Sequence, residues 1–134
     1  MLSGGYNSAA IYNNSSGAVN ISGGKVENTE SYSSAIHNNS SGVVTVSDGT
    51  VSALNTTAIY NVSSAGTVNI TGGTISATTG RAIYINNGTV TISDDALITY
   101  ANTSSYGTVN FSDGTLNING GTVAKQSTIL TTAR

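Results

Sequence analysis

The run Gly66-Thr67-Val68-Asn69-Ile70-Thr71-Gly72-Gly73-Thr74-Ile75-Ser76-Ala77 decides the fold. It holds two short segments in which β-branched residues alternate with polar ones, joined by a Thr-Gly-Gly turn. Period-2 alternation puts Val68 and Ile70 on one face and Thr67 and Asn69 on the other. The first segment recurs as Gly17-Ala18-Val19-Asn20-Ile21, Gly42-Val43-Val44-Thr45-Val46, Gly88-Thr89-Val90-Thr91-Ile92 and Gly107-Thr108-Val109-Asn110-Phe111. Successive leading glycines lie 25, 24, 22 and 19 residues apart. The turn recurs as Ser22-Gly23-Gly24, Ser47-Asp48-Gly49, Ser93-Asp94-Asp95 and Ser112-Asp113-Gly114. A third phrase completes each cycle: Ala10-Ile11-Tyr12-Asn13, Ala35-Ile36-His37-Asn38, Ala58-Ile59-Tyr60-Asn61 and Ala82-Ile83-Tyr84-Ile85.

Three strands and three turns in each cycle describe one coil of a β-solenoid. A single coil cannot bury its apolar face, but stacked coils bury a continuous core. The chain is therefore expected to be all-β, a right-handed three-sided parallel β-helix of about five coils, roughly 25 Å tall at strand spacing. Four aliphatic columns are predicted: Val19, Val44, Val68, Val90 and Val109; Ile21, Val46, Ile70, Ile92 and Phe111; Val26, Val51, Ile75, Leu97 and Leu116; and Ile11, Ile36, Ile59 and Ile83. The short last interval puts Tyr100 in the inward slot of the third phrase and Ala101 in the slot of the tyrosines. Asn119 to Val123 repeats the phrase too early, and Lys125 to Arg134 reads as a degenerate last strand or frayed end. An antiparallel sandwich is the rival, since Asp-Gly pairs also close hairpins. It gives no reason for three phrases in one cyclic order.

Composition narrows the function. Ser, Thr, Asn and Gly make up 72 of the 134 residues, charged residues are 7%, and the formal net charge is -2. That balance is the opposite of the basic surface that nucleic-acid binding needs. There is no cysteine and no proline. Disulfides and thiolate metal sites are excluded, and every backbone donor is open to a sheet ladder. No apolar run approaches the roughly 20 residues that span a bilayer, so membrane insertion is not expected. No signal peptide is visible at Met1-Leu2-Ser3. The 134 residues read as one repeat domain, a fragment of or building block for a longer array.

The recurring Gly-Thr-Val-Asn-Ile followed by Gly-Gly-Thr resembles the repeats of adhesin-like bacterial cell-surface β-helix proteins, from about Gly4 to Val123. The resemblance implies an extracellular or cell-surface location and a longer parent chain. It brings no catalytic residue with it. The expected role is a non-enzymatic structural or adhesive module with no cofactor. Its partners are flanking coils or other copies of itself through exposed end strands, and surface glycans.

Three surface features invite chemistry. Tyr12, His37, Tyr60 and Tyr84 each follow an inward isoleucine and so point outward in one row. Such a row either stacks on itself and stiffens that side or stacks on sugar rings; the self-stacking reading is preferred. Thr67, Asn69, Thr89, Thr91, Thr108 and Asn110 form a flat polar face similar to the ice-binding faces of antifreeze solenoids. Threonine is also a favoured exposed strand residue. Asp94, Asp95 and Asp113 are expected at one corner, with Asp48 two coils from Asp94. Carboxylates there suit a hard cation or, for Asp94 with Asp113, glycoside hydrolysis. Aspartate as a turn former is the preferred reading, and no metal site is expected.

Overall fold

The computed structural model describes residues 2–3, 9–101 and 108–125, and the side chains of 9–99, 101 and 108–124. Its strands are β1 (Leu2–Ser3), β2 (Ile11–Asn13), β3 (Val19–Asn28), β4 (Ile36–Asn38), β5 (Val43–Ala53), β6 (Ile59–Asn61), β7 (Thr67–Ile70), β8 (Thr74–Ala77), β9 (Ile83–Ile85), β10 (Thr89–Ile92), β11 (Leu97–Tyr100), β12 (Val109–Phe111), β13 (Thr115–Ile118) and β14 (Thr122–Lys125). No helix occurs among the described residues, so none there is long and apolar enough to cross a membrane.

Every strand pair is parallel, and each turn of chain lays three strands over those of the turn before. The first side runs through the opening half of β5, then β7, β10 and β13. The second runs through the closing half of β5, then β8, β11 and β14. β3 and β5 pass through the corner without a break, so these two sides form one nine-stranded sheet. The third side is a separate sheet in the order β12-β9-β6-β4-β2. The molecule is thus a β-solenoid of about four turns. Five strands stack on the third side, separated by four steps, and β13 and β14 only begin a further turn. That is slightly short of the five complete coils expected.

The columns form because alternation and stacking demand the same side chains inside. Val44, Val68 and Val90 are in register and fully buried. Val46, Ile70 and Ile92 form a second buried column, and Ile36, Ile59 and Ile83 a third. At roughly 1.5–3 kcal/mol per fully buried aliphatic side chain, these columns supply most of the gross driving force for the stack.

The corners follow from backbone limits. Gly49 turns the chain at φ 88°, and a Cβ there would lie 2.7 Å from the backbone of Gly23 and Gly24 in the coil beneath. Both the left-handed conformation and the close stacking exclude a side chain. The equivalent corner between β10 and β11 has one more residue, and Asp94 takes the left-handed conformation at φ 55°. Aspartate tolerates that region better than most residues.

The last turn differs from the expectation. Val109 pairs with Ile83 and Phe111 with Ile85, so the fifth Gly-Thr-Val phrase lies on the third side, not the first. Leu116 and Ile118 take the first-side places over Val90 and Ile92. The second-side column is Val26, Val51, Ile75, Ile98 and Val123. Leu97, expected inward, is 39% exposed beside a fully buried Ile98. Tyr100 is a second-side residue in register with Ala77. The physical reason is that a turn needs three strands before it returns to the first side. Leu97–Tyr100 fills the second side, so the next strand, Val109–Phe111, must fill the third. From Val90 to its true partner Leu116 is 26 residues, in line with the earlier intervals. Asn119 to Val123 is then not an early repeat but the corner and strand that follow. The frayed end expected from Lys125 onward lies, beyond Lys125 itself, outside the described residues.

Candidate functional site

The third side builds two ladders one residue apart. In Ile-Tyr-Asn the isoleucine and asparagine point inward and the aromatic ring outward. Inside, Asn13 Nδ2 donates to Asn38 Oδ1 at 3.0 Å, and Asn38 Nδ2 donates to Asn61 Oδ1 at 2.9 Å. Each amide also donates to a glycine carbonyl that follows its own strand: Gly17 at 3.1 Å, Gly42 at 3.0 Å and Gly66 at 3.2 Å. The ladder ends at Ile85, where Asn61 Nδ2 donates instead to the Asn87 carbonyl at 2.9 Å. Asn38 and Asn61 are fully buried, and such amides are tolerable only when their partners are supplied. The alternation that places Ile36 inward places Asn38 inward too. That signal was available in the sequence.

Outside, the structure brings together all four members of the aromatic row. Ring centroids of Tyr12 and His37 are 4.9 Å apart, edge to face; those of His37 and Tyr60 are 4.9 Å apart, tilted; those of Tyr60 and Tyr84 are 5.0 Å apart and nearly parallel, at 7°. The Arg81 guanidinium lies 4.4 Å from the centre of the Tyr84 ring. Stacking turns the faces of Tyr60 and Tyr84 toward each other, so the middle of the row presents ring edges. Burial lowers the His37 pKa from its usual 6.5. Burial, then the neighbouring Tyr84, raise that of Tyr60 above 10.0, partly offset by Arg81.

At the Tyr12 end the row borders a concavity of about 350 Å³, lined by Ala9, Tyr12, Tyr32, Ser33, Ser34, His37 and Tyr60. Its wall is the long loop between β3 and β4. That loop is pinned at both ends. Asn28, fully buried, donates to the Ser34 carbonyl at 2.8 Å and accepts from the Glu30 amide at 2.8 Å. Thr56 Oγ1 donates to the Ser33 carbonyl. Tyr32 stands at φ 69° with its side chain 70% exposed. A left-handed tyrosine is uncommon and costs on the order of 1–2 kcal/mol, so the surroundings impose it. Ser33 Oγ and His37 Nε2 are both buried and have no hydrogen-bond partner among the described residues. Tyr32 and Ser33 were not among the residues expected to matter. Nothing in a serine-rich loop marks them before the coils are stacked.

The flat polar face is only partly assembled. Thr67 and Asn69 lie in register with Thr89 and Thr91. The next pair in that array is Thr115 and Asn117, not Thr108 and Asn110. Asn110 is on the third side, in register with Tyr84. Threonine and asparagine alternate down the inner row of this face, and only Thr89 and Thr91 give a threonine pair on one strand. The aspartates also separate. Asp48, Asp94 and Asp95 lie at corners between the first and second sides, whereas Asp113 precedes β13 at the corner between the third and first. Glu27 is ion-paired with Lys25. Among the described residues, no group of three or more acidic, histidine or cysteine side chains is placed to hold a metal ion. Comparison with family models, with curated proteins and with solved structures returns no match for this chain.

Proposed function

We propose that the chain is a non-enzymatic structural and adhesive module of an extracellular or cell-surface protein. A stiff rod holds a contact site at a fixed position, and weak contacts add when many copies are displayed together. The observation that carries this reading is the aromatic row ending in a pre-formed concavity, held by a pinned loop on a continuously hydrogen-bonded stack. Ligand sites are commonly concave, rich in aromatic residues and largely pre-formed. The dispersed carboxylates favour binding over hydrolysis, which needs two carboxyls about 5–9.5 Å apart across a bond. Beads coated with the chain are expected to be retained under flow on glycan-bearing surfaces, with no release of reducing ends from the glycan. Retention no better than that of uncoated beads would contradict the adhesive role; glycan cleavage would contradict the non-enzymatic one.

A second reading concerns the end of the stack. Phe111, Ile118 and Val123 are in register with Ile85, Ile92 and Ile98, all fully buried, yet are 49%, 55% and 36% exposed. Another coil laid on them would extend each column and pair the edge strands. That coil comes from flanking sequence or from a second copy. Sedimentation that rises with concentration, and ceases to do so in the double variant Phe111→Asp with Ile118→Asp, supports the second copy. A single sedimentation coefficient at all concentrations opposes it.

A further inference from the structure

We propose that two copies of this chain join head to tail by exchanging a strand: β14 of one copy takes the place that β1 holds on β3 of the next, and the solenoid runs on through the junction. The inference rests on the second-copy reading of the open end and adds its polarity and its mechanism.

Strand order sets the geometry. The described strands number five on the third side (β2, β4, β6, β9, β12), five on the first (β3, β5, β7, β10, β13) and six on the second (β1, β3, β5, β8, β11, β14). The sixth arises because β1 and β14 both lie on the second side. After β14 the next place is on the third side, over β12. β2 of another copy fits that place only if β1, one place before it, yields to β14. If β1 stays, it lies on β14 and leaves an empty strand place on each of the other two sides.

Register favours the exchange. Through the intervening strands, Val109 shares a column with Ile11, Leu116 with Val19, Ile118 with Ile21 and Val123 with Val26. An N-terminal rung laid on a C-terminal rung therefore sets aliphatic against aliphatic at all four places, with every strand pair parallel. Phe111 meets Asn13, much as Ile85 already lies in register with Asn61. A head-to-head contact with the sides aligned makes the pairs antiparallel and loses this register. The facing edges, β2 and residues 19–21 of β3 against β12 and β13, hold no charged residue and no proline, two devices that keep strand edges apart.

β1 holds its place with a short ladder. It pairs only Leu2 with Glu27 and Ser3 with Asn28. β14 has four residues, and its register carries over to all of residues 25–28. Added strands gain affinity from main-chain hydrogen bonds, so the longer strand is favoured. The two ends also differ in exposure. Ile21 and Val26 are 8% and 6% exposed, whereas Ile118 and Val123, in the same two columns, are 55% and 36% exposed. The N-terminal rung is thus the guarded end, with β1 the described strand that lies on it, and the C-terminal rung is open. The contact is heterologous and advances along the solenoid axis, so it repeats into a filament instead of closing.

Two sets of variants test the exchange. Asn20→Cys and Asn117→Cys, mixed in equal amounts and mildly oxidised, should cross-link position 20 to position 117. Both side chains are exposed and share a column, but within one copy they lie four strands, about 19 Å, apart, beyond the reach of a disulfide. An excess of 117–117 or 20–20 cross-links would overturn the proposal, as would no cross-link at concentrations where the chain sediments as an oligomer. Leu2→Cys with Glu27→Cys, neighbours on β1 and β3, should lock β1 in place when oxidised. The oxidised protein is expected to lose association, and the reduced protein to keep it. Association that survives the lock means that β1 is not displaced: the exchange falls and the second-copy reading stands. A native chain that is monomeric at every concentration ends both.

Discussion

The asparagine ladder and the aromatic ladder share three strands and one spacing, yet obey different rules because one faces the core and the other faces water. Inside, the amides of Asn38 and Asn61 are matched between neighbours and to carbonyls. Outside, rings touch at 4.9–5.0 Å with interplanar angles that range from 7° to 70°. A buried polar group left unmatched costs about 1–3 kcal/mol, whereas an aromatic pair contributes about 0.5–1.5 kcal/mol and accepts many angles. The inner ladder is therefore strict, and the outer one is permissive enough to admit His37 among tyrosines.

The largest break in this contrast should come from the inner ladder. Asn38→Ile keeps an aliphatic shape that the fourth coil already uses at Ile85. It also leaves Asn61 Oδ1 without its donor, and it takes one of two partners from Asn13 Nδ2, which keeps the Gly17 carbonyl, and from the Gly42 carbonyl, which keeps the Thr67 amide. A loss of about 3 kcal/mol in urea unfolding is expected. Tyr60→Ala removes two ring contacts from the outer ladder and should cost about 1–2 kcal/mol by the same measurement. Equal losses in the two variants would erase the distinction between the ladders.

Ser33→Ala should act in the opposite direction. It removes a buried hydroxyl that has no partner among the described residues, so unfolding experiments should show unchanged stability or a gain of up to about 1 kcal/mol. A loss of stability would mean that Ser33 is satisfied in the folded protein.

The smallest effect is electrostatic. The folded pKa of His37 lies below its usual 6.5, so the unfolded chain binds the proton more readily. Stability is full above pH 6.5 and declines as pH falls from there through the lowered folded value. Melting temperatures of the native chain should drop over that range, and His37→Tyr should remove the drop. A melting temperature that rises on acidification would reverse the sign of this account.

Much of the fold is legible in the residues. The three phrases and their cyclic order suffice to place Val44, Val68 and Val90 in one column and Tyr12, His37, Tyr60 and Tyr84 in one row. The last coil is misread because Gly107-Thr108-Val109-Asn110-Phe111 and Thr115-Leu116-Asn117-Ile118 carry the same alternation. Local pattern cannot choose which of them occupies a side; only the requirement of three strands per turn does. A slip of this kind exchanges inside for outside, as it does at Leu97 and Ile98. The site is less legible than the fold. The outer row follows from alternation, but the concavity depends on how one loop is pinned across coils by Asn28 and Thr56, and nothing local to Tyr32 or Ser33 announces it.

The most direct test of the stack is cysteine cross-linking, made clean by the absence of native cysteine. Thr91 and Asn117 are neighbours on adjacent parallel strands, and Asn110 lies on another side. Adjacent strands are about 4.8 Å apart, within the Cα separation that a disulfide bridges. Mild oxidation of Thr91→Cys with Asn117→Cys should give an intramolecular disulfide in high yield, while Thr91→Cys with Asn110→Cys should stay reduced. A bridge from position 91 to 110 and none to 117 would contradict the register on which the core, the ladders and the concavity all depend.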